Sequence, residues 1–383
     1  MINICVVGWY GTETLGDMAI FDGIIKIFRN IDRNVNVFLG SLFPFYSERE
    51  IYENFSLYTS GMGKLNISVF DIRDKKAVHG VLSKIDILIF GGGPLMDFEE
   101  LYPSKNIFQL AYKNNIPSVV LGCGFGPIHL PKYLDVVNEM FDCANLIIFR
   151  DRESVTLAKG LLDKTRDYYC IGDPAVISIE EYQQTHLALK NNAIAINLRE
   201  FPQDEYGKEG ILEDCEIVEM LRMIADTFEL IELVPMHTFE IGKDDRIYLS
   251  RIRKTVERNN IKIHYKPTSL SELYEIYQSA FGTIGMRYHS VVMQTILNGN
   301  NYIINYTDSK VGKTVGFLNN IGAADFYSES ITNLKNREKL DPQKIINCLK
   351  NKKNFNCKKS DYLERYVYMI NKVLRGECLT NGE

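Results

Sequence analysis

Residues 2–28 read INICVVGWYGTETLGDMAIFDGIIKIF and contain one strand pattern, one glycine loop and one helix pattern. The apolar run at residues 2–8 is typical of a buried strand. After the loop, Ile20, Ile24 and Ile27 recur at helical spacing and share one face. A strand that leads through a short loop into a helix is the repeating unit of parallel sheets covered by helices.

The same alternation of strand-like runs and helical segments continues along the chain in two series. The strand-like runs are residues 2–8, 35–40, 85–91, 118–122 and 146–150 in the first series, and 193–198, 230–235, 261–265, 283–285 and 302–306 in the second. A polar stretch without a strand pattern, residues 180–192, separates the two series. We therefore predict the α/β class with two parallel-sheet domains, residues 1–180 and 190–355.

Two helices are indicated by local signals in the second half of the chain. Ser269 and Glu272 have the spacing of a capping box before the run LYEIYQSA. Residues 356–383 are predicted to form a C-terminal helix that packs back towards the first domain. Its expected apolar stripe consists of Leu363, Val367, Ile370 and Leu374.

Charge and hydropathy exclude several classes of protein. The formal net charge is -5, whereas nucleic-acid binders need clustered basic residues, so we expect no nucleic-acid partner. No apolar run is long enough to span a bilayer, and the opening strand leaves no room for a signal peptide. We expect a cytoplasmic protein. The basic excess at residues 350–375 predicts a solvated helix face, or at most peripheral association with an anionic membrane.

The eight cysteines are far apart, with no CxxC pair and no neighbouring group of histidines. Several lie in apolar strand-like runs, where cysteine behaves as a small hydrophobic residue. We expect reduced thiols and no metal site.

Three glycine loops follow strands of the first series. They occupy residues 8–16, 91–97 and 122–127. Because ligands of open α/β sheets bind at the carboxyl ends of strands, these loops predict a cleft lined by backbone. The spacing of the first loop is not GxGxxG, so it is not a dinucleotide fingerprint. The candidate cleft or acceptor residues in these loops are Gly11, Asp17, Gly92, Gly93 and Asp97.

Arginines follow strands in both series. Arg150 ends an apolar strand and can hold a carboxylate or a phosphate with its planar fork. We expect its neighbour Arg152 to pair with Asp151 or to cap the next helix instead. Arg199 repeats the arrangement at the first strand of the second domain, and we include it among the cleft residues.

The strongest local pattern is GTIGMRYHSVV, in which Arg287 and His289 follow a strand and precede a helix. Residues two apart on an extended turn project to the same side, so both side chains are expected to address one ligand. His289 is a candidate general acid because histidine titrates near neutral pH. Lys310 follows the next strand and is either a point charge for the same pocket or an exposed loop lysine. His237, after another strand, is a weaker candidate cleft residue.

The motifs GWYGTETLGD, IFGGGPLMD, LGCGFGPI, FRDRES, GDPA, AINLRE, VPMH, MRYHS and NYTDSKVG together resemble the polysaccharide pyruvyl transferase family, in residues and in order, from Val6 to Gly316. The resemblance implies a GT-B-like fold, with two Rossmann-like parallel-sheet domains facing a central cleft. It also implies transfer of the enolpyruvyl group of phosphoenolpyruvate to two hydroxyls of a glycan, in cell-surface polysaccharide biosynthesis.

By the same resemblance, Arg150, Arg287, His289 and Lys310 are expected to bind phosphoenolpyruvate, with His289 as the catalytic acid. No metal or organic cofactor is implied. In the first loop the chain departs from the family pattern, with Met18 after Asp17 where an acid is frequent. The sugar acceptor, its linkage, the ketal stereochemistry, whether the acceptor is lipid-linked, and the oligomeric state are not determined by the sequence.

Two other functions are compatible with these patterns. A nucleotide-sugar-dependent glycosyltransferase has the same GT-B fold, although we find no acidic ribose partner near MRYHS. A glycan-binding module without catalysis would not depend on His289. Binding of phosphoenolpyruvate rather than of nucleotide-sugars distinguishes these hypotheses.

Overall fold

The computed structural model describes residues 1–61, 63–351 and 353–377. Within these residues the chain forms two compact units. Unit 1 comprises residues 1–178 and the C-terminal segment from Ser360 onward, and unit 2 comprises Ile179–Lys359. Part of the predicted C-terminal segment, residues 378–383 with Cys378, lies outside the described residues.

Each predicted strand-like run corresponds to a strand of the structure, and four further strands are present among the described residues. In chain order the strands are β1 (Ile2–Val7), β2 (Val35–Ser41), β3 (Leu65–Asp71), β4 (Ile87–Phe90), β5 (Pro94–Leu95), β6 (Ser118–Phe125), β7 (Leu146–Phe149), β8 (Tyr169–Cys170), β9 (Ala193–Asn197), β10 (Leu230–Leu233), β11 (Ile261–Ile263), β12 (Gly282–Gly285), β13 (Asn301–Asn305) and β14 (Ile331–Asn333). The sequence patterns did not predict β3, β5, β8 or β14.

Helices connect the strands. They are α1 (Leu15–Ile31), α2 (Pro44–Tyr58), α3 (Lys75–Leu82), α4 (Leu101–Lys113), α5 (Pro131–Asp142), α6 (Arg152–Leu161), α7 (Ala175–Thr185), α8 (Gln203–Tyr206), α9 (Asp214–Thr227), α10 (Asp245–Val256), α11 (Leu270–Ser279), α12 (Tyr288–Leu297), α13 (Lys313–Asn320), α14 (Ala324–Tyr327), α15 (Pro342–Lys350) and α16 (Tyr362–Leu374). The capping box is confirmed, because Ser269 accepts from the backbone of Glu272 and the Glu272 side chain accepts in return.

Each unit is built on a parallel sheet whose strand order reverses once. The described residues of unit 1 form an eight-stranded sheet in the order β3-β2-β1-β4-β6-β7-β8, with β5 paired to β6. Those of unit 2 form a six-stranded sheet in the order β11-β10-β9-β12-β13-β14. The order reverses between β1 and β4 in unit 1 and between β9 and β12 in unit 2. Crevices for ligands form at such switch points, beyond the carboxyl ends of the strands.

The central strands are buried on both faces, which explains their continuous apolar runs. Every residue of β4 and of β9 is buried. Ile194, Ile196 and Ile284 of unit 2 are fully buried in one apolar core. Each such side chain stabilises the fold by about 1.5–3 kcal/mol relative to leaving it in water.

Helix α16 belongs to unit 1 and contacts α1, but its predicted apolar stripe was wrong by about one position. The Tyr366 hydroxyl donates to the Gly172 carbonyl oxygen at 2.6 Å. A tyrosine ring can therefore occupy the interior while its polar end is satisfied. Of the predicted stripe only Ile370 is fully buried, and the side chains that face the core are Tyr362, Tyr366, Met369, Ile370 and Val373.

Among the described residues, no helix has the length and apolarity needed to cross a bilayer. The cysteines in the same part of the chain are all free of disulfides.

Candidate functional site

Two arginines extend from the switch point of unit 2. In the register of β9 and β12, Asn197 is opposite Gly285. Arg199 and Arg287 each come two residues later, so they occupy equivalent positions at the carboxyl ends of adjacent strands. The Asn197 side chain holds these ends together, since its Oδ1 accepts from the Arg287 backbone N–H at 3.0 Å and its Nδ2 donates to the Val234 carbonyl oxygen at 2.9 Å.

Arg287 is fixed by a buried carboxylate. Its Nε lies 2.8 Å from Oδ2 of Asp245 and its Nη2 lies 2.5 Å from Oδ1. Asp245 also accepts from the backbone N–H groups of Met236 and His237. These bonds orient the guanidinium and leave the carboxylate fully satisfied.

Arg199 is buried beside aromatic rings. Only 7% of the residue is exposed. Its Nη2 donates to Oε1 of Glu205 at 3.2 Å, and its guanidinium carbon lies 5.8 Å from the centre of the Tyr306 ring. Burial lowers the pKa of Arg199, but Tyr306, Glu205 and Asp245 outweigh it and the net direction is upward. Arg199 is therefore charged at any physiological pH.

Tyr306 follows β13 and has two cations, Arg199 and Lys313, within 6 Å of its ring centre. The Lys313 ammonium is 5.7 Å from its ring centre and 5.4 Å from that of Tyr206. Burial alone would raise the pKa of Tyr306, but Lys313, then Arg199, act against it and the net direction is downward. The two cations therefore stabilise the phenolate form of Tyr306 more than burial destabilises it.

His237 lies next to Arg287 and Asp245, and burial is the main cause of its altered pKa. Burial lowers its pKa, the Arg287 charge lowers it further against the opposing effect of Asp245, and the result is about 4. The ring is therefore neutral at pH 7. Its Nε2 lies 2.6 Å from the Ile241 carbonyl oxygen, so Nε2 carries the proton and donates. A histidine in this state is a poor proton donor near neutral pH.

Arg199, Arg287 and Asp245 line a cavity of about 460 Å³ in unit 2. This volume accommodates a small organic anion. The same cavity is also lined by Glu200, Glu240, Lys243, Asp244 and Arg251. Arg199 and Arg287 therefore face a space that both cations and carboxylates border.

The structure corrects the expected geometry of the MRYHS segment. Arg287 is the N-cap of α12, which begins at Tyr288. His289 is thus the second helical residue, and the two-residue periodicity of an extended turn does not apply. It is half-buried, with its ring edge-on to Tyr288 at 4.8 Å between centres.

Lys310 lies in a turn held by Asp308, whose Oδ1 accepts from the backbone N–H groups of Lys310 and Val311. The Lys310 side chain is exposed. Lys313, three residues later at the start of α13, instead directs its ammonium towards the aromatic rings described above.

The first two glycine loops of unit 1, which follow β1 and β4, pack against each other at its switch point. A Cβ on Gly93, which has φ 74°, would lie 1.9 Å from Cδ1 of Trp9. A Cβ on Gly11, with φ 86°, would lie 2.4 Å from Oγ of Ser41. Both glycines are required for close packing between loops, and Gly92 packs in the same way beside Tyr10.

Arg150 is buried in an acidic cluster of unit 1. Its Nε lies 3.5 Å from Oδ2 of Asp151 and its Nη1 lies 3.6 Å from Oδ2 of Asp173. Asp17 faces the same guanidinium. Burial raises the pKa of Asp17 to about 7, although Arg150 and a backbone N–H of Gly93 oppose the increase. This carboxyl therefore exchanges a proton near neutral pH.

The expected role of Arg152 was wrong. Arg152 is exposed at the first position of α6, and Arg150 is the arginine paired with Asp151. Asp151 caps the helix, because its Oδ1 accepts from the Ser154 backbone N–H at 2.6 Å. The Asp97 carboxylate accepts from the backbone N–H of His129, so it holds the loop before α5.

A family model for polysaccharide pyruvyl transferases matches residues 15–309, which is most of the chain. The chain belongs to this family. The resemblance seen in the motifs is thereby confirmed. No curated protein sequence matches the chain.

Solved structures support the fold of this polysaccharide pyruvyl transferase. The UDP-GlcNAc 2-epimerase of Methanocaldococcus jannaschii, determined with UDP-GlcNAc and UDP, is 12% identical, with 97% of this chain and 99% of that chain covered and a TM-score of 0.59. The S. aureus MnaA–UDP structure is 11% identical, with complete coverage of both chains and a TM-score of 0.56. These likenesses confirm the predicted fold class, a GT-B-like pair of parallel-sheet α/β domains.

Within the transferase, the structure brings Arg199, Arg287 and His237 together at one end of the unit 2 sheet. Arg150 and Asp17 meet in unit 1. A single pocket shared by Arg150, Arg287, His289 and Lys310 stays a prediction. Sequence reasoning missed Asp245, Glu205, Tyr306 and Lys313, although the last two follow β13 in the NYTDSKVGK segment.

Among the described residues, no group of three or more histidine, cysteine, aspartate or glutamate side chains has the arrangement of a metal site.

Proposed function

We propose that this polysaccharide pyruvyl transferase moves the enolpyruvyl group of phosphoenolpyruvate to two hydroxyls of a glycan sugar. The product is a pyruvate ketal, and phosphate is released. The observation that carries the proposal is that Arg199 and Arg287, from equivalent positions after β9 and β12, line one cavity of unit 2. Two guanidinium groups at one cavity suit a donor with a carboxylate and a phosphate close together.

In this proposal Arg287 contacts one anionic group of the donor. Its guanidinium is oriented by Asp245, so little conformational entropy is lost when the ligand binds. Lys310 supplies a flexible ammonium from the neighbouring turn. Arg150 of unit 1 is the further donor-binding residue that the family resemblance implies. Fixed positive charge around the departing phosphate stabilises the charge that develops in the transition state.

His289 is the proposed general acid. It gives a proton to the methylene carbon of phosphoenolpyruvate, and an oxocarbenium-like centre forms at C2. One sugar hydroxyl adds there, the C2–O bond to phosphate breaks, and the second hydroxyl closes the ketal. Of the two hydroxyl protons, one restores the acid and the other leaves with phosphate, so the reaction is balanced without a redox or organic cofactor.

The proposed setting is the cytoplasm, in the synthesis of a cell-surface polysaccharide. The acceptor is a glycan, either lipid-linked or free. Contact with the inner face of the membrane is at most peripheral in this proposal.

The experiment is an incubation of the purified protein with phosphoenolpyruvate and glycans from cell envelopes, in deuterated water. We expect phosphate release that depends on glycan, and a ketal methyl group that carries solvent deuterium, because its new C–H bond takes hydrogen from an exchangeable site. Sugar transfer from a UDP-sugar, without phosphate release from phosphoenolpyruvate, would replace this proposal with the glycosyltransferase alternative. The two structural neighbours were determined with UDP ligands, so this alternative is the relevant one.

A further inference from the structure

Arg199 is a buried cation with incomplete hydrogen bonding. Its Nη2 has Glu205 as a carboxylate partner, at 3.2 Å. Its Nε is buried and has no hydrogen-bond partner among the described residues. A buried guanidinium N–H without an acceptor costs free energy, which a bound anion would recover.

The position of Arg199 matches that of Arg287. Each lies two residues beyond a paired strand residue, Asn197 or Gly285, at the unit 2 switch point. Both line the cavity of about 460 Å³. A guanidinium group can bind a carboxylate or a phosphate. The Nε–Nη2 edge of Arg287 already holds Asp245, so its Nη1 is the group that remains for a ligand.

We propose that Arg199 is a second donor-binding residue, which together with Arg287 forms a two-guanidinium clamp for one small anion. The identity of that anion as phosphoenolpyruvate rests on the proposed function. The clamp itself rests on the burial, spacing and shared cavity of the two arginines.

The residues around Arg199 act as its positioning group. Glu205, on α8, competes with a ligand for the guanidinium, and its side chain is 30% exposed. The Tyr306 ring centre lies 5.8 Å from the Arg199 guanidinium carbon, and the Lys313 ammonium lies 5.7 Å from the centre of the same ring. A bound anion would add negative charge near His237, so its pKa should rise when the clamp is occupied.

The test is calorimetric titration of the full chain with phosphoenolpyruvate and, separately, with inorganic phosphate. Arg199→Gln should weaken phosphoenolpyruvate binding by about 10- to 100-fold, the usual range for one charge-assisted bond. Glu205→Gln should tighten binding, because it removes the competing carboxylate. A gain of affinity cannot arise from misfolding.

Arg222→Gln is the matched control. Arg222 belongs to the same unit, donates to the carbonyl oxygens of Thr255 and Val256, and does not line this cavity. We expect its affinity for phosphoenolpyruvate to equal that of the wild type.

Unchanged affinity in Arg199→Gln, equal losses in Arg199→Gln and Arg222→Gln, or no gain in Glu205→Gln would overturn the clamp. If the wild type binds phosphate through Arg199 but does not bind phosphoenolpyruvate, the clamp stands and the proposed function fails. If phosphoenolpyruvate binds equally well without Arg199, the proposed function stands and the clamp fails.

Discussion

The low pKa of His237 makes the folding stability of unit 2 depend on pH. Burial lowers the pKa of this imidazole from 6.5 to about 4, and the charges that face it are Arg287, Asp245, Arg199 and Asp244. In the unfolded chain the ring titrates at its ordinary value. As pH falls below about 6.5, the unfolded state gains a proton before the folded state does, so the free energy of unfolding decreases.

The expected size follows from the shift. A difference of about 2.5 pH units corresponds to about 3 kcal/mol, lost in full only below pH 4. Between pH 7.5 and pH 5 the loss is about 2 kcal/mol. His237→Gln removes this titration, and the glutamine side-chain N–H can still donate to the Ile241 carbonyl oxygen that Nε2 contacts.

The assay is urea unfolding of the wild type and of His237→Gln at both pH values. The stability difference between the two proteins should change by about 2 kcal/mol, in favour of the variant at pH 5. The exposed His79 of unit 1 provides a control, since His79→Gln should follow the wild type at both pH values. Identical pH dependence in the wild type and in His237→Gln would refute the assignment of a buried, neutral ring.

Asp17 should make stability fall as pH rises, which is the opposite of the effect of His237, because burial raises the pKa of its folded form to about 7. From pH 5 to pH 8 the wild type should lose free energy of unfolding relative to Asp17→Asn. The same pH dependence of urea unfolding in the two proteins would contradict this. His289→Gln should lower kcat by about 10²- to 10⁴-fold with a much smaller effect on the affinity for phosphoenolpyruvate, because glutamine can donate a hydrogen bond but cannot give up a proton near neutral pH. A normal kcat with weak binding would mean that His289 binds phosphoenolpyruvate and is not the general acid. Gly93→Ala should destabilise unit 1 and shift the emission of Trp9, the single tryptophan, because the new Cβ would overlap the indole; an unchanged spectrum and melting temperature would mean that the loop does not pack as described.

Periodicity predicted most of the architecture because the central strands are buried on both faces. Continuous apolar runs such as β4 and β9 are unambiguous in such sheets. Strand β3 was missed because it lies at the edge of its sheet and is only partly buried. The stripe of α16 was misplaced because tyrosines were not counted as core residues, although Tyr366 satisfies its hydroxyl on a backbone carbonyl oxygen.

The direction in which a side chain points could not be read from the sequence. Arg150 and Arg152 differ by two positions, but α6 begins at Arg152 and turns that side chain to solvent. Lys310 and Lys313 both follow β13, and the helix start decides which ammonium packs on Tyr306. The charged partners Glu205 and Asp245 lie outside the quoted motifs, and only the tertiary fold pairs them with Arg199 and Arg287.

The identity of the donor substrate as phosphoenolpyruvate is tested most directly by a binding measurement. Calorimetric titration of the wild-type chain should show binding of phosphoenolpyruvate and no binding of UDP or UDP-GlcNAc under the same conditions. Arg287→Gln should abolish or greatly weaken the phosphoenolpyruvate signal, because the clamp would lose one of its fixed positive charges. Binding of UDP-GlcNAc with no binding of phosphoenolpyruvate would contradict the account.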